Sequence, residues 1–399
     1  MSEFLKELHI TAEFCQDHPI NAFSKHIPLD WVEEAFKQTG RASLRKRRFH
    51  AEQAVWLVLG IGLLPNRSIQ NVCDQLELAF PDTKGELPPL ATSSIIKGKE
   101  RLGAEPMRYL FKLTAAQWDK QCEFDKVCDL KVLSVDGTYF KTHDTDSNQQ
   151  LVGSAPENSL TLFDRGFMSA ELFANWQGSS QNTHWLTPIK AKLRYKIIES
   201  YGEYDYLVKL PVSPQAQQQA PYLGKSWTAR LVLIPSPKGE IKGFITSCLC
   251  PRRYALKELV EVYWQRWEIG QGYGELKQYQ LANKPILRSL KSESIYQELW
   301  GILTSYNIVR LEMAAMAKEH NVEPFRISFL NALYLIQDEF IWASGRSPGA
   351  VPKVPEMLRE NGKRLILPYK RKRKAYPRAV LKRPAKYPTR TREKKATRS

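Results

Sequence analysis

The chain has 399 residues, 43% hydrophobic and 25% charged, which is ordinary for a globular protein and long enough for two or three domains with ample cores. Its net charge of +17 is not ordinary. Residues 361–399 hold 16 Lys or Arg against one acid, Glu393, so the excess sits in the tail and points to a polyanion: nucleic acid first, an acidic membrane surface second.

The opening MSEFLKELHI has no apolar signal core, and the longest apolar run, residues 54–64, is too short to span a bilayer. None of the six cysteines forms a CxxC pair, which argues against a zinc ribbon and for reduced thiols in a reducing cytoplasm.

In chain order, residues 30–120 read as helices. Asp30 is expected to cap WVEEAFKQTG, with Gly40 ending it. The basic run RKRR (45–48) precedes AEQAVWLVLGIGLL, which Pro65 stops. SIQNVCDQLELAF follows, with Ile69, Val72, Cys73, Leu76 and Phe80 at helical spacing. A short helix from Ser94 carries Lys97, Lys99 and Arg101. Short helices with tight turns and basic residues suit a helix-turn-helix-like DNA-binding unit. The plainer alternative is a helical bundle with a solvated basic face.

The character changes at Leu130. LKVLSVDGTYF and SLTLFDRGF (159–167) read as strands, SAELFANWQ as a helix and HWLTPIKAK as a third strand. Residues 194–250 alternate in the strand manner, and PSPKGE is expected to join two of these strands as a hairpin. Two long helices are predicted, about 256–281 and 294–318. From Pro348 onward, prolines and basic residues replace apolar periodicity, so the tail is expected to be largely extended.

The chemistry-bearing residues stand at strand ends. Asp136 and Asp164 each close a buried strand. An ionised carboxylate there is costly unless something pairs it, and a divalent cation is the obvious partner. Two such aspartates on adjacent strand ends can hold Mg²⁺ ions about 4 Å apart, which clamp the attacking and leaving oxygens of a phosphodiester. Further on, YWQRWEIGQGYGELK (263–277) reads as an amphipathic helix. At 100° per residue, Tyr263, Arg266, position 270 and Lys277 fall within an arc of about 60°. That stripe can grip a strand's phosphates and stack on a base. Glu268 and Glu275 fall on the far side.

DGTYF, DRGF and the Tyr263–Arg266–Lys277 spacing resemble the DDE transposases of bacterial insertion sequences, in particular the insertion-sequence-four family with its Y-x2-R-x3-E-x6-K signature. The resemblance covers nearly the whole chain. It implies an α/β fold: a helical N-terminal DNA-binding region, a ribonuclease-H-like core interrupted by a β-rich insertion, and a basic C-terminal tail. The divisions expected are 1–125 for the helical DNA-binding domain, 126–190 for the first part of the core and 191–250 for the insertion. The C-terminal core helices with the stripe take 251–345 and the tail 346–399. It also implies metal-dependent cleavage and strand transfer at terminal inverted repeats, with Asp136 and Asp164 as catalytic metal ligands for Mg²⁺ or Mn²⁺. Tyr263, Arg266 and Lys277 would be the DNA-binding residues. The implied partners are double-stranded DNA, as transposon terminal repeats and target, and a second copy of the chain on that DNA, with no membrane. The implied location is a bacterial cytoplasm, at the nucleoid through DNA.

Two departures set this chain apart. The family's third acid falls on Gly270. Only residues 137–163 separate the two aspartates, and the polar stretch HDTDSNQQLVGSAPEN has no pattern for the two further strands and packed helix that the family places there. The core sheet is therefore expected to be incomplete, with 143–158 an exposed loop, and the chain to have lost its catalysis. Two alternatives stand beside a working transposase. One is a DNA-binding remnant without chemistry. The other is a different ribonuclease-H-like metal nuclease whose last ligand is Glu171, Glu258 or Glu261.

Overall fold

A computed structural model describes residues 27–41, 49, 51–76, 78, 90–122, 126–135, 156–190, 193–235, 241–265, 272–282, 287–342 and 359–368. Residues 1–366 group as one compact unit and 367–399 as a second.

Five helices open the chain: α1 Leu29–Thr39, α2 Ala51–Leu63, α3 Ile69–Gln75, α4 Thr92–Leu102 and α5 Glu105–Gln121. Helix α1 buries Val32, Ala35 and Phe36 on one face. Gly40 stops it in the left-handed conformation (φ 65°), where glycine carries no Cβ penalty. Its N-cap is Pro28 rather than the expected Asp30, which lies in the first turn and places its charge at the positive end of the helix dipole. In α3, Ser68 Oγ accepts from Asn71 N at 3.1 Å, and the helix ends at Gln75, short of the expected Phe80, which lies outside the described residues.

The sheet strands follow: β1 Lys126–Val127, β2 Leu130–Val135, β3 Ser159–Phe163, then α6 Ala170–Gln177 and β4 Thr183–Pro188. The second run is β5 Lys196–Gly202, β6 Asp205–Pro211, α7 Pro214–Gln219, β7 Ser226–Pro235 and β8 Ile241–Thr246. The C-terminal helices are α8 Leu256–Gln265, α9 Ser292–Glu319 and α10 Phe329–Trp342, with a π-helical turn over Glu275–Gln280.

All eight strands form one sheet in the order β1-β2-β3-β4-β8-β7-β6-β5. Strands β2, β3 and β4 run parallel, and the other pairings are antiparallel. The strands of 191–250 thus continue the central sheet through the β4–β8 pairing, and β7 and β8 pair as the hairpin that PSPKGE predicts. Beyond β2, among the described residues, stands only the two-residue β1. The expectation for 143–158 falls mostly outside the described residues; Pro156 to Asn158 are described and carry no strand.

Strand β3 is buried at every residue, because the sheet is covered on both faces. Leu160 and Leu162 join Leu259, Val262 and Tyr263 of α8 in one core. Phe163 joins Phe173 of α6 and Trp185 in the other. Phe173 stacks on Trp185 with ring centroids 4.2 Å apart. Trp176 Nε1 donates to Thr161 Oγ1 at 3.1 Å, which satisfies a buried hydroxyl and fixes α6 on the sheet.

The N-terminal helices share a third core with α9 and α10. Every residue of α2 from Gln53 to Leu63 is buried. It approaches α9 almost backbone to backbone. A Cβ built on Gly301 would stand 2.4 Å from Val58 Cγ1, and one on Gly62 would stand 2.7 Å from Ser305 Oγ. Ser305 Oγ also donates to Leu59 O at 2.9 Å. The expected basic face on α4 is reduced, because Lys99 is only 7% exposed and donates to Ser289 Oγ at 3.2 Å. Burial lowers its pKa, and the nearby Glu298 carboxylate opposes that shift.

Candidate active site

The parallel pairing of β2 and β3 runs in register from Lys131↔Ser159 to Val135↔Phe163. The last described residue of β2, Val135, therefore lies level with Phe163, the last of β3, and the next residue in each sequence is an aspartate. Asp164 is half-buried, follows β3 in extended conformation (φ −71°, ψ 158°) and precedes a 3₁₀ turn, Arg165–Phe167. Its carbonyl accepts from Phe167 N at 3.0 Å, so the chain turns sharply away from the strand end. Asp136, the residue after Val135, lies outside the described residues.

Helix α8 is aimed at the same end of the sheet. At its start, Glu258 Oε2 accepts from Cys128 N at 2.9 Å and from Cys128 Sγ at 3.1 Å, in the turn before β2. Near its end, the Tyr263 ring lies 5.2 Å from Phe244, which pairs with Pro188, the last residue of β4. The helix thus runs alongside β2, β3 and β4 toward their C-terminal ends. Arg266 and Gly270 follow it in the sequence and lie outside the described residues. Glu258 is ruled out as a replacement ligand: a six-residue strand, about 20 Å, separates its end of the sheet from Asp164. Glu171 sits in the first turn of α6, and Glu261 is exposed on α8.

The single helix expected over 256–281 does not form as one α-helix. Helix α8 is described as far as Gln265, and Glu275–Gln280 is π-helical, a wider turn closed by i→i+5 bonds. The 100° spacing that put Lys277 on a stripe with Tyr263 does not apply across such a turn. Tyr263 is 4% exposed, packed on Phe244 and 5.1 Å from the Trp264 ring, so its face is not offered to a base. Lys277 is half-buried on the π turn.

That turn is held from one side. Leu276 is buried against Leu281, Leu287 and Ile302, and Gln280 Nε2 donates to Gly62 O at 3.2 Å and Ile302 O at 3.0 Å. Glu275 pairs with Arg310 of α9 and accepts from Tyr306 OH at 2.9 Å. Burial raises the Glu275 pKa, while Arg310 and the Tyr306 hydrogen bond pull it back. This carboxylate is committed to anchoring the turn, which sequence reasoning missed. The only signal in the sequence was Glu275 with Tyr306 and Arg310, themselves i,i+4 on one helix face.

Asp164 offers a hard oxygen donor of the kind that small divalent cations take. Among the described residues, no group of three or more His, Cys, Asp or Glu is placed to hold an ion. The donor type therefore fits, and the described donors alone do not complete a site. No helix of the described residues is long and apolar enough to cross a membrane.

Comparison with known proteins accounts for this arrangement. Residues 17–112 match the family described as insertion element 4 transposase N-terminal, and residues 126–308 match the transposase DDE domain, which carries a ribonuclease-H-like fold and a divalent-metal chemistry on DNA. The chain is 31% identical to the transposase InsG for insertion sequence element IS4 of Escherichia coli K12, over 93% of this chain and 94% of that protein. It is 24% identical to the putative transposase InsZ of the same organism, over 46% of this chain and 78% of that one. The InsG alignment runs over 422 positions, more than the 399 residues of this chain, so part of it is gap on this side. With both domain families matched in order and a relative aligned almost end to end, this chain belongs to the IS4 family of DDE transposases.

Proposed function

We propose that this transposase keeps the DNA-handling frame of its family and lacks the third acid of the catalytic set. The observation that carries the reading is the in-register parallel ending of β2 and β3, one residue before Asp136 and Asp164, with α8 aimed at the same level and glycine at position 270. Adjacent strands are about 4.8 Å apart, a spacing at which two carboxylates can share a pair of divalent ions. Asp136 and Asp164 would hold Mg²⁺ or Mn²⁺, and the metal, when bound, supplies Lewis-acid stabilisation of the oxygens at the cleaved phosphodiester. Arg266 would hold the DNA backbone as a fork and Lys277 as a point charge. Tyr263 belongs to the same motif and acts from a buried position, seating the end of α8 on the sheet.

Two carboxylates leave a two-ion site short of negative charge, so the ions would be held weakly against their mutual repulsion. The short stretch between the aspartates in the sequence would leave less chain for the strands that align them. The protein would act on terminal inverted repeats and target DNA as a homodimer, in the cytoplasm, with its tail on nucleoid DNA. Its reduced cysteines fit that compartment: the five described ones are free thiols.

The test is a cleavage assay on a duplex carrying matched terminal repeats with Mg²⁺ or Mn²⁺. The unmodified chain should bind the duplex and leave both strands intact above background. Strand cleavage by the unmodified chain would overturn the loss of catalysis; failure to bind would overturn the transposase role. A parallel measurement removes residues 361–399. If about five of the tail charges meet phosphates, log K falls against log salt with a slope of about −4 to −5, and the truncated chain should lose most of it.

A further inference from the structure

The outer end of the sheet carries a feature that sheet stability alone does not explain. Lys196 of β5 and Lys209 of β6 are direct cross-strand partners, so their side chains stand on one face within a few ångströms of each other. Like charges in that position destabilise a sheet. Both line an open groove with Arg194, Tyr195 and Lys225, together with the edges of Pro211 and Ser226. All four cationic side chains are exposed, and among the described residues none has a carboxylate partner. The acids of the same strands are placed elsewhere. Asp205 is buried against Arg230, and Glu199, opposite Leu207, shares the face one pair further along, outside the groove lining and without an ion pair to either lysine among the described residues. Tyr195 is 42% exposed at the groove wall. Four unneutralised cations in a concave site await a multivalent anion.

We infer that this groove is a second DNA-backbone site that grips the duplex away from the reacting phosphate. The inference rests on the transposase reading and adds a location to it. Lys209 lies four strands across from β3 and about four residues below the level of Asp164. With about 4.8 Å per strand and 3.3 Å per residue, the separation is about 20–25 Å. At 3.4 Å per base pair, a duplex engaged at Asp164 reaches the groove about six or seven base pairs from the reacting bond. The contact is to phosphates, because the lining offers charges and no planar amide to read base edges.

The test uses the full chain and a random-sequence duplex, with affinity measured against salt concentration. In Lys196→Gln/Lys209→Gln the slope of log K against log salt should become shallower by about 2, since each neutralised phosphate contributes about 0.9. Lys196→Glu separates recognition from folding. It creates an opposite-charge pair with Lys209, so the melting temperature should rise while DNA affinity falls. An unchanged slope in the double variant, with the unmodified chain binding normally, overturns the groove and leaves the transposase reading intact. A Lys196→Glu variant in which stability and affinity move together also overturns it. No duplex binding by the unmodified chain overturns both. Loss of binding to phosphatidylserine vesicles, with the duplex slope unchanged, would reassign the groove to membranes.

Discussion

The two halves of the sheet solve different problems. The inner strands β2, β3 and β4 are parallel; β3 has no exposed residue, and β4 is buried except at the half-buried His184. The outer strand β5 is exposed at every residue but Tyr201 and, among the described residues, pairs on one side only. Burial dictates the inner register, since a one-residue slip would drive Leu160 and Leu162 out of their core. The outer edge carries instead two register shifts, at Ile197/Glu199 and Ser200/Gly202, irregularities that discourage edge-to-edge association. Chemistry belongs where neighbours over-determine position, and backbone binding suits an edge where single charges can change without cost to the fold.

The largest expected effect sits at the joint between the halves. Arg230 is fully buried, donates to Asp205 at 2.8 and 2.6 Å, and reaches the Tyr254 carbonyl at 2.7 Å. It ties β6 and β7 to the residues that lead into α8. Asp205→Ala should cost about 3–5 kcal/mol in urea unfolding, because the guanidinium stays buried without its counter-charge. A cost below about 1 kcal/mol would show that the pair is not the joint.

Leu162→Ala on β3 should cost about 2–5 kcal/mol, as a buried leucine between two covered faces. Ile198→Thr on β5, where the side chain is 53% exposed, should stay within about 0.5 kcal/mol. Equal costs at the two sites would erase the distinction between the halves. The smallest effect is chemical. Burial pushes the Cys248 thiol up to about 12 and the Cys128 thiol up to about 11. The exposed Cys250 is lowered by backbone N–H groups of Arg253 and Arg252. Among the five described cysteines, iodoacetamide near neutral pH should modify Cys250 first, since the thiolate is the nucleophile. Mass mapping of the first adduct checks this.

Much of the inner half was legible in the sequence. SLTLF announces a strand buried on both faces, and Asp164 stands where that run ends. The hairpin of β7 and β8 followed from its turn residues. What was not legible depends on contacts between distant segments. No local pattern says that β8 will pair with β4 and merge the insertion into the central sheet. The π turn at Glu275–Gln280 has the composition of an α-helix, and its anchors, Arg310 and Tyr306, lie more than thirty residues away. Tyr263 and Lys99 look like surface-facing polar residues on a helical wheel, and tertiary packing buries both. The groove of Lys196 and Lys209 needed the cross-strand register, which sequence spacing does not give.

The central claim is that the frame remains and the acid at position 270 is gone. Titration of Mn²⁺ into the unmodified chain and into Gly270→Glu, both with duplex bound, tests it most directly. The account predicts weak binding in the unmodified chain, a clear tightening on Gly270→Glu, and loss of that gain when Asp164→Asn is added. Equally tight Mn²⁺ binding in the unmodified chain and in Gly270→Glu would contradict it, and would place the third ligand on another carboxylate, with Glu268 the first to replace.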